Sequence, residues 1–185
     1  MFLSDKTIRL YLKQKKIIVV PDLKDTNIRN VGIRAHLANT IMIAEPNQLV
    51  DLKNPAEIKY KKINLDKKEF ILKPGDFILG STIEKLSMSR DLIAFIDGRS
   101  TVARLGLTVH LSSTTADGLW DEPQSITLEI ANIGNLNIKL VSQYPMGMFT
   151  FAELTEKVEQ ESQTQYKSQI GVTAPNLKFK TGKDK

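Results

Sequence analysis

Short apolar stretches divided by turn residues run through almost the whole chain. Residues 17–20, 40–43, 69–72, 77–79, 92–96, 107–111, 125–130, 136–141 and 146–154 each combine β-branched, aliphatic or aromatic side chains over a strand-like length. Pro21, Pro46, Pro55, Pro74-Gly75, Asp97-Gly98, Asp117-Gly118, Pro123 and Gly134 punctuate them. Such residues interrupt strands by fixing φ, by freeing it, or by removing a hydrogen-bond donor. This rhythm predicts a mainly β protein, a distorted jelly roll or β-barrel. Helix is expected at residues 4–15, capped by Ser4 or Asp5, with Ile8, Leu10, Tyr11 and Leu12 as apolar positions. One further helical turn is expected after Gly98, with Ser100 at the N-cap and Gly106 where the chain must leave it.

Within 125–130, alternation puts Ser125, Thr127 and Glu129 on one face and Ile126, Leu128 and Ile130 on the other. Glu129 therefore leaves the core and joins a polar face. Beyond residue 155 the pattern changes: 156–169 is polar and cannot bury enough apolar surface to join a core. The expected organisation is one β domain over 1–155, with its N-terminal helix, and a mobile C-terminal arm over 156–185.

Composition narrows the chemistry. A chain of 185 residues with 41% apolar content can bury one good core. No apolar run is long enough for a membrane span, and no signal-peptide pattern opens the chain, so a cytoplasmic protein is the default. The chain has no cysteine and two histidines, which removes the zinc deaminase route with its Pro-Cys-x-x-Cys ligands. The net charge of +5 is concentrated in lysine clusters at 13–16, 59–62 and 178–185. Neither aromatic spacing nor a recognition helix accompanies them, so they read as solvated faces rather than a nucleic-acid surface.

The densest candidate chemistry lies at 97–110, Asp-Gly-Arg-Ser-Thr-Val-Ala-Arg-Leu-Gly-Leu-Thr-Val-His. A tight turn with free backbone N–H groups favours an anion, and Arg99 and Arg104 add forked donors suited to phosphate oxygens. Together with Glu129 this outlines a nucleotide site.

These residues resemble the dCTP deaminase branch of the trimeric dUTPase superfamily. Gly98, Arg99, Ser100, Ala103, Arg104, Gly106 and Leu107 match its Gly-Arg-Ser block, and His110 and Leu128-Glu129 match later landmarks. The stretches 3–8, 73–80 and 165–171 resemble the family's opening helix, pre-motif strand and closing segment. The resemblance implies a dUTPase-like β-clip fold, a homotrimer with sites between subunits, and zinc-independent conversion of dCTP to dUTP and ammonia. It implies Glu129, Ser100 and Arg104 as catalytic residues. For nucleotide binding it implies Arg99, Ser100, Thr101, Val102, Ala103, Arg104, Asp117, Trp120, Thr127, Leu128, Gln165, Tyr166, Lys167 and Gln169. Magnesium would ride on the triphosphate, and dTTP is a candidate inhibitor.

The chain also departs from the family pattern. Arg34 stands in place of an acidic residue, and 115–124 lacks Asp-Pro-Gly and is longer than the family spacing, which makes Asp121 a rival of Asp117. His110 reads equally well as structural or catalytic. Met148 stands where nucleotide-hydrolysing relatives often carry Gln, and with Ala103 it favours deamination alone. The alternatives are a dUTPase, a bifunctional enzyme giving dUMP and pyrophosphate, or a silent nucleotide- or protein-binding relative.

Overall fold

The computed structural model describes residues 1–160 and 165–177. The lysine-rich tail 178–185 and part of the polar arm lie outside these residues. The strands are β1 (Ile17–Val20), β2 (Ile28–Arg29), β3 (Gly32–His36), β4 (Thr40–Ala44), β5 (Tyr60–Asn64), β6 (Phe70–Leu72) and β7 (Phe77–Met88). They continue as β8 (Leu92–Gly98), β9 (Leu107–Thr108), β10 (Thr115–Ala116), β11 (Gln124–Asn132), β12 (Ile138–Leu140) and β13 (Pro145–Glu153), and the helices are α1 (Asp5–Lys13) and α2 (Ser100–Ala103). The larger sheet runs β5-β4-β7-β11-β9 with β1 also on β7, and the smaller runs β10-β8-β13-β3-β2. A separate ribbon pairs β12 with β6. The result is a distorted, jelly-roll-like β fold without a closed barrel.

The core lies where the two sheets face each other. Phe149, Phe151, Ile33, Leu37, Ile41, Ile78, Leu86, Leu92 and Leu128 are fully buried. Thr82 pairs with Leu37 in a β-bridge, and the buried Glu84 carboxylate accepts the His36 backbone N–H at 2.9 Å and meets His36 Nδ1 at 2.6 Å. A buried carboxylate is costly unless bonded in this way, so the pair ties β3 to β7 and sets how the sheets meet.

Several local expectations change in the folded chain. β7 extends 12 residues rather than ending at Leu79, because β11 on one edge and β4 and β1 on the other satisfy its backbone through Gly80 and Ser81. The strand expected at 107–111 stops at Thr108, and the chain turns at Leu111 with φ 38°. The lysine cluster at 59–62 falls largely in β5, an edge strand, where Lys61 and Lys62 are exposed. Charged side chains on an edge discourage pairing with other chains. In α1, Ile8 is fully buried but Leu10 is 48% exposed, so the apolar stripe is narrower than expected. Ser4 is the N-cap residue of α1, although its side chain makes no capping bond.

Candidate active site

β11 builds the floor of a cleft of about 740 Å³. Leu128 and Ile130 point into the core and are buried, while Thr127 and Glu129 line the cleft, as alternation requires. Ile126 breaks the expected pattern. The pairing of β11 with β7 shifts between Ser125 and Thr127, and Ile126 joins Ser125 on the cleft wall. Burial pushes the Glu129 carboxyl above its ordinary value of 4.5, against smaller pulls from its own backbone N–H and from His110. A carboxylate with a raised pKa, partly shielded yet open to a cleft, is suited to take and return a proton.

The facing wall contributes Asp117, Ser113 and Thr115, and residues 165–176 close the cleft from above. Gln165, Tyr166 and Gln169 all line it. Gln169 is the anchor: its carbonyl accepts the Ser125 N–H at 2.9 Å, and its side-chain amide donates to Thr127 Oγ1 at 2.6 Å. Gly171 N–H donates to Ser125 Oγ at 3.1 Å, and Thr173 N–H to Thr127 Oγ1 at 3.3 Å. The polar face of β11 thus serves as the docking strip for the arm. Tyr60 and Phe77 complete the cleft and had no distinguishing signal in the sequence. Tyr60 is half-buried near Tyr166, and burial raises its hydroxyl pKa.

The Gly-Arg-Ser turn stands apart from this cleft. Arg99, Ser100, Thr101, Val102, Ala103 and Arg104 are not among its lining residues. Arg99, not Ser100, is the N-cap of α2, with extended backbone angles and no side-chain bond. Ser100 is therefore the first helical residue, and its exposed hydroxyl is not engaged in capping. Val102 is buried in the core, whereas Thr101, Ala103 and Arg104 are exposed. Gly106 leaves the turn with φ +82°, as its position predicts.

Other candidate residues take structural places. The Trp120 indole N–H donates to Leu92 O at 3.0 Å, and its ring packs against the core rather than lining the cleft. Lys167 pairs with Asp121 at 3.2 Å. His110 forms a bridge beside Glu129 and sits 3.3 Å from Asp97 through Nε2, while its buried Nδ1 has no partner. Among the described residues, no group of three or more His, Asp or Glu side chains could hold a metal ion. No helix among them is long and apolar enough to cross a membrane.

The chain is a mainly β protein with a cleft floored by β11. Its architecture is similar to the crystal structure of 2′-deoxycytidine 5′-triphosphate deaminase from Agrobacterium tumefaciens, with TM-score 0.61 and 15% identity over 81% of this chain and 47% of that one. The dCTP deaminase-like family pattern matches residues 2–154, and the chain belongs to that family. A dCTP deaminase, dUMP-forming, from Hydrogenobaculum sp. is 34% identical over 96% of both chains. A dCTP deaminase from Buchnera aphidicola subsp. Schizaphis graminum is 31% identical over 96% of this chain and 98% of its own.

Proposed function

We propose that this protein is a hydrolytic deaminase converting dCTP to dUTP and ammonia. The observation that carries the reading is Glu129, a half-buried carboxylate with a raised pKa on the floor of a cleft, in a chain of the dCTP deaminase-like family. Glu129 takes a proton from water as the water oxygen bonds to C4 of cytosine, and delivers that proton to N3. It then carries the new hydroxyl proton to the amino group. The C4–N bond breaks, ammonia leaves and the carbonyl forms, so Glu129 ends as it began.

The remaining roles follow the family resemblance. Ser100 holds the water and Arg104 pairs with Glu129. Arg99, Thr101 and the backbone at Val102 and Ala103 take the triphosphate, and Asp117 the sugar hydroxyl. Thr127 and the Leu128 backbone line the base, and Gln165, Tyr166, Lys167 and Gln169 belong to an arm that closes the site. Magnesium arrives on the triphosphate as part of the substrate, drawn from a cytoplasmic nucleotide pool, and dTTP is a candidate competitor.

The separation of the Gly-Arg-Ser turn from the Glu129 cleft supports a homotrimer in which one subunit's turn completes its neighbour's cleft. Mixing the inactive variants Glu129→Gln and Arg104→Ala after partial unfolding is then expected to restore activity. Random assembly makes about one quarter of sites intact. No recovery in a protein shown to exchange subunits would place both residues in one chain's site.

A second reading is the bifunctional reaction, favoured by relatives named dUMP-forming at 34% and 32% identity. Incubation with dCTP and magnesium, followed by ion-exchange separation of products, decides between them. Accumulating dUTP supports deamination alone, and dUMP with pyrophosphate supports both steps. No turnover of dCTP or dUTP would leave a silent binding protein.

A further inference from the structure

We infer that Asp121 is a positioning residue that fixes the C-terminal strap across the cleft by holding Lys167, with Arg90 as the hub of the arrangement. This inference rests on the deaminase reading for its kinetic consequence, but its geometry stands independently. Lys167 Nζ lies 3.2 Å from Asp121 Oδ2, and Arg90 Nη2 lies 3.8 Å from Asp121 Oδ1. Arg90 also holds the start of the arm: its carbonyl accepts the Val158 N–H at 3.0 Å, and its guanidinium donates to Glu159 O at 3.4 Å. One arginine therefore grips the arm near its root and supports the carboxylate that grips it again at Lys167.

The location gives this arrangement its effect. Lys167 lies between Tyr166 and Gln169, both on the cleft wall. Gln169, Gly171 and Thr173 fix the strap along β11 through Ser125 and Thr127, and a single line of attachment leaves rotation about that line. The Asp121 contact is a second point off that line, and it orients Tyr166 over the cleft. Asp121 falls in the stretch 115–124, where this chain is longer than the family spacing. The added length lets the turn before β11 reach out to Lys167. Lys167, which the resemblance implies for nucleotide binding, is instead paired with a carboxylate of its own subunit.

The side chains are partly exposed, so each ion pair is modest, and an effect of about three- to fivefold is expected. Steady-state kinetics on Asp121→Asn, Lys167→Met and the double variant test the assignment. Each single change is expected to raise KM for dCTP about threefold with kcat unchanged, and the double variant to be no worse than either single one. If Lys167→Met weakens binding equally with and without Asp121, Lys167 contacts the triphosphate directly and the inference falls. It falls also if Asp121→Asn leaves KM unchanged.

A second readout does not depend on turnover. Limited trypsin digestion of the nucleotide-free protein, followed by mass spectrometry, reports the rate of cleavage after Lys167. That rate is expected to rise in Asp121→Asn at unchanged Tm. An unchanged rate overturns the inference even if dCTP proves not to be the substrate.

Discussion

Glu129→Gln is expected to lower dCTP turnover by about 10³-fold, the usual worth of a positioned general base, while the protein still folds. The amide keeps the size and much of the hydrogen bonding of the acid but has no basic oxygen to take a proton from water. Stability should move the other way. Burial raises the folded pKa of Glu129 above 4.5, so the folded state prefers the protonated acid. Its contribution is favourable below the unfolded value and is lost as pH rises through the folded value, leaving an ionised group in a shielded place. Glu129→Gln should therefore melt higher than the wild type at neutral pH, with the difference vanishing at pH below about 4.5. The wild-type kcat/KM should fall on an acid limb that lies above the ordinary carboxylate value. Thermal melts and rate profiles across pH check both signs. A variant with wild-type turnover would remove Glu129 from the chemistry.

Gly106→Ala is expected to cost about 4 kcal/mol, or about 10 °C in Tm for a domain of this size. Gly106 has φ +82°, where a side chain is already strained. An added Cβ would stand 2.4 Å from Gly134 Cα and 2.6 Å from Gly134 N. Both obstacles are backbone, so no side chain can swing aside. The clash falls where the exit of α2 crosses the turn after β11, and the Ile133 N–H donates to Gly106 O at 2.8 Å there. Asn132 locks the same turn by donating to Leu72 O and Leu136 O and accepting the Gly134 N–H. Forcing the two segments apart would displace Arg104 together with the turn that carries it. The surviving folded fraction should lose activity as well. A melting temperature within about 2 °C of wild type would show that the crossing can relax.

The sequence was most informative where local physics has few solutions. Alternation at 125–130 separated Thr127 and Glu129 from Leu128 and Ile130, and the structure agrees except at Ile126, where a register irregularity intervenes. Gly106 was legible because few other residues leave a helical turn with positive φ. Boundaries were less legible. The strand expected over 77–79 is too short, because neighbours on both edges carry β7 on through Gly80 and Ser81. Ser100 looked like a cap because serine often is one, yet the chain enters α2 one residue earlier, at Arg99. Tyr60 and Phe77 carried no mark of a site, because lining a cleft depends on partners far away in the chain.

Composition and periodicity thus settled the mainly β class, the short N-terminal helix, the absence of cysteine ligands and the face on which Glu129 lies. Each follows from properties of a few neighbouring residues. Which residues share a cleft was decided only in three dimensions. Folding brought Glu129 together with Asp117, Tyr60 and Gln169, turned Trp120 toward Leu92, and paired Lys167 with Asp121. It also left the Gly-Arg-Ser turn outside the cleft on β11. Local patterns determine which way a side chain faces; only the packing of distant strands determines what it meets.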